Sequence, residues 1–203
     1  KFKAMTGMKW QQLAKDGLNM KRSSDRTWQQ IVMAANTPML LKAGLVEGNT
    51  EAGVLARRMP FQVDSTLRKA INAGEVMFID QHLSETVEQL RNHQLKLPDI
   101  AVIEAAAITE QGHIVPTTSV GNSASFAIFA DKVIVEINVA QASALEGLHD
   151  IYYGRSALPG RTPIPLTEPG QRIGEPWLRC DPDRIVAVVA TDATDRNLPF
   201  KAA

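Results

Sequence analysis

The segment "DIAVIEAAAI", residues 99–108, restricts the possible folds more than any other part of this chain. Its side chains are apolar at almost every position, so a strand formed here must be shielded from water on both faces. Such strands are typical of parallel sheets that carry helices on each side. We therefore expect an α/β fold with this segment as a buried strand of the sheet.

Neighbouring segments extend this pattern, because short apolar runs alternate with amphipathic ones. The predicted strands are "VMFID" (76–80, short and buried), "GHIVP" (112–116), "VIVEINVA" (133–140) and "RIVAVVATD" (184–192). The predicted helices are "STLRKAINAG" (65–74), "SETVEQLRNHQL" (84–95) and "ASFAIFADK" (124–132), the last with Ser123 as its N-cap. This order predicts a mostly parallel sheet flanked by helices.

The first part of the chain has a different character. "WQQLAKDGLNM" (10–20) and "SSDRTWQQIVMAAN" (23–36) both show helical spacing of apolar residues, the second with Trp28, Ile31 and Val32 on one face. We divide the chain into a mainly helical segment, residues 1–46, and an α/β domain, residues 47–203.

Composition and charge argue against several classes of protein. The 203 residues contain 22 Lys plus Arg and 22 Asp plus Glu, so the basic excess of a typical nucleic-acid-binding protein is missing. No apolar run reaches the roughly 20 residues that span a bilayer, and no leader pattern opens the chain. The single cysteine, Cys180, excludes an internal disulfide and fits a reducing compartment. We expect a cytoplasmic protein that binds neither nucleic acid nor membranes.

Few polar groups have the spacing of a catalytic or metal site. His149 and Asp150 are adjacent, but neighbours in sequence rarely orient each other, so a structural histidine is favoured over a dyad. The four histidines lack metal-ligand spacing and no metal site is expected. Asp80 and His82 follow a predicted strand, where α/β proteins place functional groups. The alternative is a polar strand end packed against a loop.

Glu104 and Glu136 each lie inside an otherwise apolar strand. Burying a carboxylate is costly unless it is paired, so each needs either a partner or a chemical role. Structural pairing is the favoured interpretation.

The Gly-Asn-Ser turn (Gly121, Asn122 and Ser123) has two interpretations. The first is a helix start, in which Ser123 caps the helix and Gly121 supplies backbone freedom. Alternatively, its exposed amides and the helix dipole hold an anionic or carbonyl oxygen. The turn by itself does not decide between them.

Several segments, in one order, resemble the acetyl-CoA hydrolase/succinate:acetate CoA-transferase family, over about residues 47–200. They are "RMPF" (58–61), "INAGEVMFIDQHLSE" (71–85), "IAVIEAAAITEQGHIVPTTSVGNS" (100–123), "KVIVEIN" (132–138), "LEGLHDIYY" (145–153), "QRIGEPWL" (171–178) and "DRIVAVVATDATDRNLPF" (183–200). The collinear order makes the resemblance specific.

The resemblance implies class I coenzyme A transferase chemistry on one half of a two-domain fold. In this family a glutamate of the second half attacks the acyl group, and coenzyme A moves between a short acyl-CoA and a carboxylate such as acetate or succinate, or the thioester is hydrolysed. The coenzyme A thioester is a substrate, and no cofactor or metal is implied. We expect the catalytic glutamate on a C-terminal half beyond Ala203, in cis or in trans, and a homo-oligomer. No catalytic residue is assigned here, because Glu85 matches a helix of the first half.

The resemblance also implies substrate-binding residues. Arg196 matches the arginine of a D-R-N-x-P-F motif and is expected to contact coenzyme A or a carboxylate, unless it pairs with Asp192 or Asp195. The Gly-Asn-Ser turn matches a loop that lines the cleft, and Arg58 of "RMPF" is a further candidate. Residues 1–46 lack the Gly-rich loop with which family members open. The alternative function is a non-catalytic α/β module for ligand binding or assembly.

Overall fold

The fold is built around one mixed, mostly parallel sheet. The computed structural model describes residues 65–153 and 163–192, with the backbone alone at Ile31–Met33, Arg57–Arg58 and residues 65–66. The strands of these ranges are β1 (Ile31–Met33), β2 (Arg57–Arg58), β3 (Met77–Phe78), β4 (Ile100–Ile108), β5 (Ile114–Pro116), β6 (Lys132–Asn138) and β7 (Ile185–Thr191). The main sheet has the order β1-β4-β6-β7, all parallel, and β5 pairs antiparallel with the distal part of β4. The predicted α/β class is confirmed.

Three helices lie in the described ranges: α1 (Ser65–Asn72), α2 (Leu83–Arg91) and α3 (Ser123–Phe129). Helix α1 ends where Gly74, at a φ of 75°, donates its amide to the carbonyl of Ile71. Glycine adopts this left-handed backbone without steric cost, which agrees with the predicted helix end. None of the helices in the described ranges has the length and apolar character needed to cross a lipid bilayer.

The core lies on both faces of β4, as its composition predicts. On one face, Ala101, Ile103 and Ala105 pack with the side chains of α2, α3 and β5, among them Leu90, Phe126 and Ile114. On the opposite face, Ile100, Val102 and Ile134 are also buried. Successive side chains of a strand point to opposite faces, so an unbroken apolar run is required when both faces are covered.

The structure corrects the sequence predictions at two strands. Ile31–Met33, predicted as part of a helix, pairs with Ile100, Ala101 and Val102 as the parallel strand β1. Ile31, Val32 and Met33 are β-branched or long apolar residues that suit a strand beside β4, and tertiary pairing overrides their helical spacing. The rest of residues 1–46 lies outside the described residues.

The second correction concerns "VMFID", which was predicted to be a buried strand. Only Met77–Phe78 is a strand, paired with Arg57–Arg58 in a separate two-stranded sheet. The side chain of Met77 is 57% exposed, while Val76 packs against α1. The short apolar run therefore serves a small satellite cluster and not the main sheet.

Cys180 provides a pH-dependent prediction. Its thiol is buried in the main core cluster, and burial raises its pKa from 9.0 to about 11, against the opposing attraction of Arg184. Between these values the unfolded chain loses the thiol proton while the folded chain keeps it, so folding stability should fall as the pH rises from about 9 to about 11. Urea unfolding at pH 8 and pH 10.5 measures the effect. Cys180→Ala should remove this part of the pH dependence, and an unchanged slope in that variant would contradict the assignment.

Candidate functional site

Polar side chains gather at the edge of the sheet where β6 and β7 end, which we call the carboxyl edge. Asn138 and Thr191 are paired as the last residues of these two strands, and Glu104 of β4 lies opposite Glu136 just below that level. In open parallel sheets, ligands bind outside the carboxyl ends of the strands. The carboxyl edge is therefore the candidate functional site.

The Glu104 network (Glu104, Thr117 and Asn138) is a buried cluster of polar side chains at this edge. The Thr117 hydroxyl donates to Oε2 of Glu104 at 3.0 Å, and Nδ2 of Asn138 donates to Oε1 at 2.8 Å. All three residues are at most 1% exposed. The predicted pairing of Glu104 is confirmed, and it explains how a carboxylate can lie inside an apolar strand.

Two loops leave the sheet beside this network. Thr117 begins the connection from β5 to α3, and its hydroxyl accepts from the amide of Ser119 at 3.3 Å. Asn138 ends β6, and its Oδ1 accepts from the amide of Ala140 at 3.0 Å. Farther along, the His149 imidazole contacts the carbonyl of Pro116 at 2.9 Å, which returns the second loop to the end of β5.

The Gly-Asn-Ser turn lies between the first of these loops and α3. Gly121 is exposed and has a φ of 45°, in the left-handed region that favours glycine. Asn122 donates from Nδ2 to the carbonyl of Leu83 at 3.0 Å. The side chain of Asn122 thus ties the turn to the start of α2, and among the described residues no acceptor is found for the backbone amides of Gly121 and Asn122.

The predicted capping role of Ser123 is wrong. Asn122 is the N-cap residue of α3, since its carbonyl accepts from the amides of Ser125 and Phe126, and no side chain caps the helix. Ser123 is the first helical residue, with its own amide donated to Val120 and its hydroxyl buried without a hydrogen-bond partner among the described residues. The left-handed turn at Gly121 places the helix start one residue earlier than the serine pattern indicates.

The "IDQHL" segment reaches the same region. Asp80 and His82 are both exposed, and His82 is the N-cap residue of α2 without a side-chain cap. The hydrogen bond from Asn122 to Leu83 brings this segment to the Gly-Asn-Ser turn. Arg58 enters through its backbone, which pairs with Phe78 two residues before Asp80. These elements are far apart in the sequence, and the fold places them next to one another.

His149 and Asp150 serve separate structural roles, as the favoured interpretation held. While His149 contacts Pro116, the Asp150 carboxylate accepts from the amides of Ile173 and Gly174, the latter at 2.6 Å. The guanidinium of Arg172 also donates hydrogen bonds to the carbonyls of Gly147 and His149. We call this contact between residues 147–153 and 172–175 the loop clasp.

The loop clasp continues into an ion pair. Arg179 donates to both carboxylate oxygens of Glu175 and lies over the Tyr153 ring, with its guanidinium carbon 4.8 Å from the ring centroid. The hydrogen bond from Arg179 lowers the pKa of Glu175, and burial raises the pKa of Tyr153. These charges satisfy each other, which indicates a structural connection and not a catalytic centre.

A cavity of about 430 Å³ lies beside the loop clasp, away from the Glu104 network. It is lined by His113, Ile128, Glu175, Trp177, Arg179, Cys180, Asp181 and Arg184. The His113 and Trp177 rings stack at 5.7 Å, and the guanidinium of Arg184 donates to the carbonyl of Ile128. Its arginines are thus already engaged, and we assign it no ligand.

The model of the acetyl-CoA hydrolase/transferase N-terminal domain matches residues 20–190. This chain belongs to that family. The match begins ahead of residue 47 and includes the Gly-Asn-Ser turn, the Glu104 network and the loop clasp. Domain boundaries within the chain stay predictions.

Curated members of the acetyl-CoA hydrolase/transferase family are similar over most of the chain. Succinyl-CoA:acetate CoA-transferase of Clostridium kluyveri is 45% identical over 150 residues, which are 74% of this chain and 28% of that protein. Acetyl-CoA hydrolase of Schizosaccharomyces pombe is 41% identical over 151 residues, 71% of this chain and 29% of that protein. The chain therefore spans somewhat under a third of the length of these relatives.

Two further similarities differ in kind. A stretch of 56 residues, 28% of this chain, is 88% identical to 16% of the (3aS,4S,5R,7aS)-5-hydroxy-7a-methyl-1-oxo-octahydro-1H-indene-4-carboxyl-CoA dehydrogenase of Rhodococcus jostii. A solved structure of a RipA mutant has a TM-score of 0.50 at 14% identity, covering 86% of this chain and 40% of that one, and shows the shared fold alone. The chain thus resembles a transferase, hydrolases and a dehydrogenase in sequence, and the transferase and hydrolase matches cover more of it than the dehydrogenase match does.

The site residues expected from sequence are only partly placed by the structure. Gly121, Asn122 and Ser123 lie together at the carboxyl edge, whereas Arg196 and the side chain of Arg58 lie outside the described residues. Thr117 and Asn138 were missed. The sequence signal for them was a polar residue at the end of each of two apolar strands, in "VPT" and "EIN". Only the fold shows that both residues reach Glu104.

Proposed function

We propose that this chain is the substrate-facing first domain of an enzyme that moves coenzyme A between a short acyl-CoA and a carboxylate, or hydrolyses the thioester. The supporting observation is that a member of the acetyl-CoA hydrolase/transferase N-terminal family carries the Gly-Asn-Ser turn at the carboxyl edge of its sheet, with the amides of Gly121 and Asn122 not engaged by described residues. Backbone amides held in this way can bind an anionic or carbonyl oxygen.

In this proposal the domain binds and orients substrate and supplies no nucleophile. A C-terminal half, in cis or as a separate subunit, contributes the attacking glutamate, and the assembly is a cytoplasmic homo-oligomer. The acyl-CoA thioester and the carboxylate are substrates, so the chemistry needs no metal or other cofactor. The relatives named for acetyl-CoA, succinyl-CoA and acetate indicate the substrate class.

A non-catalytic module for ligand binding or assembly is the second candidate. The loop clasp and the paired charges near Glu175 would suit such a role equally well, because they stabilise the domain without any substrate. The two candidates differ in what an added C-terminal half does: only the enzyme gains turnover.

Arg196 provides the test of the substrate-binding proposal. We expect Arg196→Glu, in a complex of this chain with a family C-terminal half, to raise the KM for acetyl-CoA or for the acid by about tenfold or more, because a cation at the anion site is replaced by a like charge. Steady-state kinetics with each substrate varied measure the change, and Arg161→Glu serves as a matched charge reversal in a segment outside the motif. Unchanged kinetics for Arg196→Glu would assign this residue to pairing with Asp192 or Asp195.

A further inference from the structure

The Glu104 carboxylate has a definite hydrogen-bond polarity. Each of its oxygens accepts from a different element, Oε2 from Thr117 after β5 and Oε1 from Asn138 at the end of β6. Both oxygens act as acceptors in these two hydrogen bonds, so both partners turn their donors toward the Glu104 side chain. The side-chain oxygens of Thr117 and Asn138 therefore remain available to the loops as hydrogen-bond acceptors.

This polarity is passed on to the two loops. Because the Thr117 hydroxyl gives its proton to Glu104, its lone pairs can accept from the Ser119 amide at 3.3 Å. Because Asn138 points its NH₂ group at Glu104, its Oδ1 faces the Ala140 amide at 3.0 Å. One buried group thus sets the direction of two hydrogen bonds on two separate loops.

Both loops belong to the carboxyl edge. Ser119 lies two residues before Gly121 of the Gly-Asn-Ser turn, and Ala140 opens the loop that comes back to Pro116 through His149. An apolar side chain at position 104 would fill the strand without the desolvation cost of a carboxylate. The contribution of Glu104 is therefore orientation and not burial.

We propose that Glu104 is a positioning residue that holds the Gly-Asn-Ser loop and the Ala140 loop in register for acyl-CoA binding. The substrate part of this inference rests on the proposed function. The loop-holding part does not, and it can be measured on the 203-residue chain without any substrate. Glu104 does not touch the reacting atoms, because it is buried and both of its oxygens accept hydrogen bonds.

Amide hydrogen exchange, followed by NMR, tests the loop-holding part. Glu104→Met should accelerate exchange at both Ser119 and Ala140 by about fivefold or more, the loss expected for one hydrogen bond. Glu104→Gln keeps one acceptor and should restore part of the protection. Exchange at Val135, in the middle of β6, should stay unchanged in every variant and shows that the fold is intact.

Single-arm variants keep the test valid if Glu104→Met fails to fold. Thr117→Val should accelerate exchange at Ser119 alone, and Asn138→Ala should accelerate exchange at Ala140 alone. The inference is overturned if exchange at Ser119 is unchanged in Thr117→Val and exchange at Ala140 is unchanged in Asn138→Ala. Unchanged exchange in both loops of a folded Glu104→Met chain overturns it as well.

Kinetics of the complex with a C-terminal half test the substrate part. Glu104→Gln should raise the KM for acetyl-CoA by about threefold to tenfold and leave kcat within about twofold, because the loops bind substrate but supply no reacting group. Faster loop exchange with an unchanged KM overturns the role of Glu104 in substrate binding. If the unsubstituted complex has no turnover, the proposed function fails, while the exchange data still decide whether Glu104 holds the loops.

Discussion

Acetyl-CoA incubated with the 203-residue chain and either acetate or succinate should remain intact, and adding a C-terminal half of the family should produce turnover. The resemblance places the nucleophilic glutamate in that second half. The structure agrees for Glu104, which is buried at the carboxyl edge with both oxygens accepting hydrogen bonds and therefore does not reach a substrate. Glu85 lies exposed on α2, outside the Glu104 network.

We expect the rate with both halves to exceed that of either half alone by about a hundredfold or more, since covalent catalysis requires the nucleophile and the bound thioester in one site. The C-terminal half of the Clostridium kluyveri transferase is a suitable partner, because that protein is 45% identical to this chain over 150 residues. Loss of the ultraviolet absorbance of the thioester, or release of free thiol, measures turnover. Appreciable activity of the 203-residue chain alone would contradict the proposal, as would an inactive complex whose formation is confirmed by size-exclusion chromatography.

Gly174→Ala should strongly destabilise the loop clasp. A Cβ atom at position 174 would overlap the backbone carbonyl of Ile151 and lie 2.7 Å from the amide nitrogen of Tyr152. These atoms cannot move aside easily, because Ile151 and Glu175 exchange two backbone hydrogen bonds at 2.8 and 2.9 Å. The added methyl group must therefore separate two chain segments that the native fold holds together.

We expect a loss of about 3 kcal/mol in the free energy of unfolding, which for a chain of this size lowers Tm by roughly 6–12 °C. Thermal unfolding followed by circular dichroism measures it. Gly170→Ala is the matched control, because no atom lies within 4 Å of a Cβ at that position, and its Tm should change by less than about 2 °C. Equal Tm values for the two variants would show that the clasp is not closely packed in solution.

The sequence was most informative where a single strand or helix determines its own pattern. The doubly buried β4, the helices α1 and α2 and the strands β6 and β7 follow from apolar spacing that any packed sheet requires. The predictions failed where a distant partner decides the outcome. Ile31–Met33 is a strand because β4 offers it an edge, and Met77 is exposed because its strand pairs with Arg57–Arg58 outside the main sheet.

The candidate site divides in the same way. A collinear set of motifs identified the family and pointed to Gly121, Asn122 and Ser123. A turn of this kind can be predicted from sequence because its conformation depends on adjacent residues. The N-cap is Asn122 and not Ser123 because Gly121 has a left-handed backbone, and the residue types alone do not specify that conformation.

By itself, the sequence determined the α/β class, the buried strand at residues 100–108 and membership of a coenzyme A transferase and hydrolase family. Only the tertiary structure decided which residues meet at the carboxyl edge. Thr117 and Asn138 are 13 and 34 residues from Glu104 along the chain, and their hydrogen bonds to it exist because β5 folds back on β4 while β6 runs parallel to it. Contacts of this kind depend on strand register, which is set by the packing of the whole sheet and not by any local run of residues.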